Sequence, residues 1–365
     1  MADTRVATGL TVEQWDDKFF MEYLSENRFE GEMGTSENSI IQVKENLSKK
    51  AGDRINFALV NKLSQEAVTG RDTMEGNEED MASRSFEVTV NKRRNAVRIA
   101  EIDEQFSAIS LREAGRATLK DWSMQDTEKL IFRGLSSING VRIGSASEAQ
   151  RDAWLVDNAD RVLFGAVRSN NSANDFSASL ANCDTTNDKM TAAAVSKMKA
   201  IALTIAAPKI RPIRSEKNGR RYFILYAHSD AFNDLKGDST ITQAQREVNL
   251  AMENERLFKG GDLLWDGVII KEIEEASSEW NLGTVGASSA KVVGSYLCGA
   301  QAVGTAYARR WRTKQEDFDY GDKHGVEISS IYGIEKMKFG SGSGDTDDLK
   351  DHGVVSGFFA TAGLA

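Results

Sequence analysis

The sequence predicts an α+β fold on three observations. Helical and extended stretches are mixed along the chain without the strand–helix–strand rhythm of a parallel α/β sheet. The length of 365 residues suits about two domains, each large enough to bury its own core. Hydrophobic residues make up 40% and charged residues 28%, with 30 Gly and only 2 Pro, which excludes disordered and collagen-like classes. The net charge of −9 argues against a general nucleic-acid binder held by phosphate contacts. Cys183 and Cys298 fit no disulfide framework or zinc spacing and read as small buried hydrophobes. No apolar run reaches the length of a membrane span, and Met1 to Thr11 lacks a signal-peptide core. The chain is therefore expected to work without crossing a membrane, in a reducing compartment.

The first element is a helix over Thr11 to Leu24, with Trp15, Phe19 and Tyr23 at helical spacing. It either folds onto its own domain or serves as an arm docked on a neighbouring subunit, because aromatic anchors concentrate at interfaces. Short extended pieces follow at Ser39 to Gln42 and Gly52 to Asn61, and Ile55, Phe57 and Leu59 alternate with polar or smaller residues as in a half-buried strand. Gly70 and Gly76 open a turn-rich tip where Asp72, Glu75, Glu78, Glu79 and Asp80 surround one cation, Arg71. The return strands reverse the sign with Arg84, Lys92, Arg93, Arg94 and Arg98. Phe86, Val88 and Val90 share a face, a turn is predicted at Asn91 to Asn95, and Val97 and Ile99 resume the alternation. Such a charge run is either a solvated face or the basis of head-to-tail contact between identical copies. A long two-stranded projection buries little surface within its own chain and must find partners elsewhere.

A helix follows to Leu135. Leu111, Ala114, Gly115, Thr118 and Trp122 form one stripe and Leu130, Ile131, Leu135 and Ile138 a second, out of phase around Ser123 to Asp126. It is one curved rod or it breaks there, with Asp126 capping the second piece. Gly140 to Asp188 reads as connecting loop. From Asp188 a second domain begins: a helix from Met190 to Ala207 with the stripe Ala194, Met198, Ile201 and Ile205, ended by Pro208. A buried strand at Arg221 to Ala227 leads into a helix at Asp230 to Leu235, and Leu263 to Glu275 gives a strand bent at Gly267. Ser295 to Trp311 reads as strand, Gly299 turn and a helix of small residues. Gly325 to Phe339 is long and β-like, GSGSGDTDD is a linker, and an apolar strand closes the chain.

No catalytic template is complete. His228, His324 and His352 lack the i, i+4 spacing of a helical zinc site. Ser229 and Asp230 adjoin His228, but sequence neighbours cannot face one another as a triad does. Gly294 to Gln301 has the glycine spacing of a phosphate loop, with Ala300 and Gln301 where Lys and Ser/Thr are needed. Asp345 to Asp348 resembles a calcium loop, but Leu349 and Lys350 stand where oxygen ligands or glycine belong, so a solvated turn is expected. No catalytic, metal or cofactor residue is expected, and the chain reads as structural.

The segment IIQVKENLSKKAGDRINFALVNKLSQEAVTGRDTMEGNEED from Ile40, followed by VNKRRNAVRI and LREAGRATLKDW, resembles the major capsid proteins of tailed bacteriophages. It is most similar to the podophage capsid family related to that of coliphage N-four, and the later segments RYFILYAHSDAFNDL, LLWDGVIIKEIEE and SYLCGAQAVGTAYARR follow in that family's order. The resemblance implies the Hong-Kong-97-type capsid fold. Residues 1–34 would be the N-terminal arm and 55–100 the extended loop. Residues 35–54, 101–190 and 311–345 would form the peripheral domain on its spine helix, and 191–310 with 346–365 the axial domain.

It further implies hexamers and pentamers of an icosahedral head around double-stranded DNA, assembled in the host cytoplasm. A separate scaffolding protein and a portal are expected as partners, a decoration protein is a further candidate, and no membrane is involved. Trp15, Phe19, Tyr23, Arg71, Asp72, Glu75, Glu78, Glu79, Asp80, Lys92, Arg93 and Arg94 would lie at subunit interfaces. The alternatives are an encapsulin-like compartment, another virion subunit, or an enzyme whose site is assembled between subunits.

Overall fold

The molecule, described by a computed structural model over residues 29–45, 53–60, 66–79, 83–107, 109–214, 219–244, 258–259, 262–274, 278–341 and 347–363, divides into two compact units. The smaller is built around Lys92–Thr127 and Arg309–Ile331, the larger around Phe29–Asn91, Glu128–Ala308 and Tyr332–Ala365. The aromatic helix expected at Thr11 to Leu24 lies outside the described residues.

In chain order the first strands are β1 (Met33–Gly34), β2 (Ile41–Lys44), β3 (Arg54–Val60), β4 (Ser83–Thr89) and β5 (Asn91–Ala100). Helices α1 (Glu101–Phe106), α2 (Leu111–Ser136) and α3 (Glu148–Asn158) follow, then β6 (Val162–Phe164), α4 (Phe176–Ala181) and α5 (Ala192–Ala200). Next come β7 (Ile213–Arg214), β8 (Arg221–His228), α6 (Ser229–Lys236), β9 (Phe258–Lys259), β10 (Asp262–Trp265) and β11 (Val268–Ile273). The last strands are β12 (Asn281–Gly283), β13 (Lys291–Cys298), β14 (Val303–Phe318), β15 (Lys323–Lys336), β16 (Lys338–Ser341), β17 (Asp347–Asp351) and β18 (Val354–Thr361).

The larger unit is organised by a mixed sheet of order β6-β18-β13-β8-β11-β10-β9, with β12 on β13 and β7 on β8. Its central strands are apolar runs because both faces are covered. On one face Leu225, Leu297, Val355 and Phe359 meet Met198 and Ile201 with Phe232 and Leu235 of α6. On the other, Val292, Phe358 and Ala360 meet Trp154, Leu155, Phe164 and Phe176. That second layer corrects the reading of Gly140 to Asp188 as mere connection. Ser147 accepts from the Gln150 N–H while the Gln150 side chain accepts from the Ser147 N–H, a capping box that starts α3 and delivers Trp154 and Leu155 to the core.

Three further expectations change. Ile205 is 39% exposed while Ala202 and Ala206 are buried, because α5 continues as a π turn over Ile201–Ile205 that shifts the stripe by one residue. The stretch after Gly299 is not a helix but the start of β14, which pairs in parallel with β2 from Val303↔Ile41 to Ala306↔Lys44. Its small residues serve a crowded strand: a Cβ on Gly304 would stand 3.2 Å from the Phe57 ring and 3.3 Å from Met337 Cε. The ends of the polar stretch near the C-terminus are likewise strand, since β17 from Asp347 pairs with β16 up to Ser341; residues 342–346 lie outside the described residues.

Beside β17, His352 packs edge-on to Phe339 with ring centroids 5.1 Å apart. Burial, assisted by the Arg161 charge, pushes its imidazole down to about 4. The unfolded chain therefore binds a proton that the native state refuses. Stability is intact above pH 6.5 and falls as pH drops through about 4, by about 2 kcal/mol with allowance for the part of the ring open to water. His352→Gln is expected to flatten that limb of a denaturation midpoint against pH profile; an unchanged slope would place the acid sensitivity elsewhere.

In the smaller unit the strand order is β14-β15-β5. The predicted turn at Asn91 to Asn95 is absent, because these residues run straight along β5, and the sheet partner outweighs the turn preference of two asparagines. Leu119 of α2 packs on Val326 and Ile328, with Val97, Trp122 and Trp311 alongside. The Trp122 and Trp311 rings meet edge to face at 5.9 Å.

Helix α2 is one piece of 26 residues, and Asp126 is not a cap. Its buried side passes through Leu119, Ser123, Asp126, Thr127 and Ile131, a continuous helical stripe carried across the apparent phase slip by polar residues. The Ser123 hydroxyl donates to the Lys120 carbonyl at 2.7 Å and that of Thr127 to Ser123 at 2.9 Å.

Candidate assembly interface

Strands β3 and β4 form an antiparallel hairpin with register from Arg54↔Thr89 to Val60↔Ser83. Ile55, Phe57, Phe86 and Val88 are all on its buried side. They face their own unit: the Phe86 and Phe339 rings lie 6.3 Å apart, Lys44 Nζ sits 4.4 Å over the Phe57 ring, and Arg84 donates to the Gly340 carbonyl. The hairpin is thus anchored at its base, a correction to the expectation that the projection buries little within its own chain.

Beyond the base the chain opens into solvent. Residues 71–78 are all exposed, among them Arg71, Asp72, Glu75 and Glu78, and Met74 is 60% exposed. Gly70 and Gly76 have φ of +73° and +87°, a conformation that glycine adopts without a steric penalty. The tip braces itself. Asn77 N–H donates to the Met74 carbonyl at 3.0 Å, its amide to Thr73 at 2.9 Å, and Gly76 N–H to the Glu78 carboxylate at 2.7 Å. Glu79 is half-buried. Asp80, Trp15, Phe19 and Tyr23 lie outside the described residues.

The basic run is divided by the period of its strand. Lys92 and Arg94 are exposed on β5, whereas Arg93 turns in and chelates Asp126 of α2, with Nε donating to Oδ2 at 2.5 Å and the second nitrogen to Oδ1. Fork geometry makes such a pair strong, so Arg93 ties strand to helix in its own subunit.

Sequence reasoning missed the far end of this unit. Between β14 and β15 the chain turns at Asp319–Gly321, where Tyr320 is fully exposed at φ +55°. Glu101 N–H donates to the Asp322 carbonyl at 2.8 Å, which sets α1 beside this turn. Helix α1 has no buried residue, and Phe106 is 80% exposed. The signal was FDYGDKHG, aromatics inside a turn-forming run, where solvent-facing aromatics mark contacts.

The chemistry-bearing residues have structural employment. His228 is buried, and its Nδ1 accepts from the Asp230 N–H at 3.1 Å as the cap of α6. The Gly294 to Gln301 spacing falls on β13 and the turn after it. Glu148, Asp152 and Asp175 converge, and each accepts a backbone N–H at the start of α4 at 2.8 Å, which accounts for the cluster by capping. Cys183 and Cys298 are buried, and burial pushes the Cys183 thiol up to about 12. Among the described residues no helix is long and apolar enough to cross a membrane.

An anchored hairpin with an exposed charged tip in one unit, and exposed Lys92 and Arg94 on a strand of the other, offer charged surfaces for contact with other chains. A family model for phage capsid proteins matches residues 3–357. The chain belongs to the phage capsid protein family. It is 27% identical over 356 residues to the major capsid protein of Pseudomonas phage KPP25, covering 90% of this chain and 89% of that one. Its structure matches that of the Cyanophage Pam1 capsid asymmetric unit over the whole of both chains, with 34% identity and a TM-score of 0.86. The capsid of Ralstonia phage GP4 shares the fold at a TM-score of 0.78 and 24% identity, again over both whole chains. The fold is the Hong-Kong-97-type capsid fold, and the chain is a tailed-phage major capsid protein, a structural component of the virion. This capsid family is structural, not enzymatic, and its members associate with copies of themselves in a capsid lattice.

Proposed function

We propose that this subunit assembles in the host cytoplasm into hexamers and pentamers of an icosahedral head enclosing double-stranded DNA, with a separate scaffolding protein and a portal as partners. Residues 1–34 act as arm, 55–100 as extended loop, 35–54, 101–190 and 311–345 as peripheral domain, and 191–310 with 346–365 as axial domain. The observation that carries this reading is the exposed, self-braced tip at residues 71–78, whose carboxylates have the opposite sign to Lys92 and Arg94. Weak charged contacts suffice when every copy repeats them.

Because Arg93 serves its own subunit, the informative variant is Lys92→Glu/Arg94→Glu. It is expected to stay folded by circular dichroism and to lose shells under negative-stain electron microscopy. Normal shells would remove Lys92 and Arg94 from the interface. Cargo-filled compartments or tubes would favour the encapsulin-like or tail alternatives.

A further inference from the structure

Within the larger unit a cleft of about 240 Å³ lies between the base of the β3–β4 hairpin and the β16–β17 pair. Leu59, Pro208 and Phe339 give it apolar walls, and Arg84, Arg161 and Lys350 line it with cations. The fold fixes where these cations stand. Arg84 is the cross-strand partner of Leu59 in the hairpin, and Lys350 pairs with Phe339 across β16 and β17. The Arg161 side chain is only 1% exposed, held by the Asp160 carboxylate and by the carbonyls of Asp351 and Ala207. Asp160 also lies 3.5 Å from Lys350 Nζ, and among the described residues it is the one carboxylate within ion-pair distance of these cations. Arg84 donates to the Gly340 carbonyl and leaves the rest of its fork unengaged among the described residues. The His352 ring completes the lining, and among the described residues its nitrogens make no hydrogen bond, which leaves an imidazole N–H to give. Like charges gathered away from bulk water repel one another, and an anion relieves that cost.

We infer that this cleft binds a phosphate-type oxyanion, which ties the hairpin base to the body of its own unit. A phosphate group carries about −1.5 to −2 charges near neutral pH and so answers the excess of cations. Its tetrahedral oxygens accept from several directions at once, as donors spread over Arg84, Arg161 and Lys350 require. A planar carboxylate would satisfy one fork and leave the other cations unmatched. The volume far exceeds the about 10–15 Å³ that a single water needs, so the ion enters with part of its hydration. Its source is free phosphate or the phosphate of a nucleotide, whose sugar carbons would lie on Leu59 and Pro208. The site lies within one subunit and goes beyond the shell reading; it is tested on the unassembled chain, so its failure leaves that reading standing.

Thermal unfolding tests it, with inorganic phosphate replacing chloride at constant ionic strength. The midpoint is expected to rise by several degrees and to level off in the millimolar range, as for a ligand that only the native state binds. Phosphate also stabilises proteins by exclusion from their surface, so the variants decide. Arg84→Gln and Lys350→Gln are each expected to weaken the apparent affinity on the order of tenfold. Arg84→Lys should retain part of it, and Lys120→Gln, an exposed cation of the other unit, should respond as the parent does. An equal response in Arg84→Gln and the parent overturns the inference. Should Arg84→Gln not fold, Lys350→Gln on the facing wall carries the same comparison.

Two further arms fix the ligand and its role. Adenosine monophosphate binding more tightly than inorganic phosphate assigns the site to a phosphate ester, and equal or weaker binding assigns it to the free ion; acetate acting as well as either overturns the phosphate class. Hydrogen exchange of the β3 and β4 amides is expected to slow when phosphate is added, because the ion joins Arg84 of the hairpin to Arg161 and Lys350 of the body. Unchanged protection of those strands at saturating phosphate overturns the clamp.

Discussion

Replacing Asp351 by Leu is expected to destabilise the subunit by about 3–5 kcal/mol, a larger effect than any surface substitution here, because it leaves a charged lysine in the core. Lys336 and Asp351 form an ion pair at 2.6 Å with side chains only 3% and 2% exposed. Asp351 Oδ2 also accepts from the Trp154 indole at 3.1 Å, and its backbone N–H donates to Asn158 Oδ1 at 2.8 Å. Lys336 Nζ lies 5.4 Å from the centre of the Trp154 ring, so the lysine has aromatic carbon on one side and its carboxylate on the other. Removing the carboxylate strips the ammonium of its counter-charge where water cannot substitute. Lys336→Met/Asp351→Leu should recover most of the loss, since a buried pair exchanged for apolar side chains of similar volume is often neutral. What remains is the unmatched Trp154 N–H, at about 1–3 kcal/mol. Guanidinium denaturation of the unassembled chain, run as a double-mutant cycle, reads the difference. A single variant within 1 kcal/mol of the parent would mean that the lysine escapes to solvent.

The reasons this pair was invisible in the sequence also explain the other misreadings. Lys336 and Asp351 sit in stretches rich in charge, EKMK and DDLKD, where the expected state is solvated. Only a strand pairing that turns one charge of each stretch inward makes them core residues. Helix α2 shows the same thing at Ser123, Asp126 and Thr127, whose polar side chains occupy the buried stripe and imitate a break in phase. Arg93 looked like its neighbours Lys92 and Arg94 because the two-residue period of a strand becomes decisive only once β5 is known to be strand. Local signals fared better where one rule dominated. Ile55 and Phe57 alternate as read, the apolar run at Arg221 to Ala227 is the buried strand β8, and Gly267 marks the turn between β10 and β11. The tip was legible for a further reason: charges clustered around Gly70 and Gly76 have no route into a core, and Arg71, Asp72, Glu75 and Glu78 remain exposed.

Gly333→Ala is expected to cost about 3 kcal/mol and to lower assembly with it, although the substitution adds a single methyl group to a β-strand. A Cβ at Gly333 would stand 2.0 Å from the Thr89 carbonyl oxygen and 3.0 Å from its carbonyl carbon. Both are backbone atoms at the end of β4, which cannot swing aside as a side chain does, so the hairpin base must move away from β15. Alanine recovers about 0.5–1 kcal/mol by restricting the unfolded chain, too little to offset the clash. Gly357→Ala provides the contrast. There the new Cβ would meet the Phe359 ring edge at 2.7 Å and the Met198 terminus at 3.0 Å, side-chain atoms of which the thioether is free to rotate. The cost at Gly357 should therefore stay near 1 kcal/mol. Thermal unfolding of the two variants side by side separates the cases, with the Gly333 variant losing several degrees more. Because the Thr89 contact holds the base of the hairpin that ends in the 71–78 tip, particle yield should fall further for Gly333→Ala than for Gly357→Ala. Equal losses in the two variants would show that β4 gives way as readily as a side chain and that the hairpin base is not held by its approach to β15.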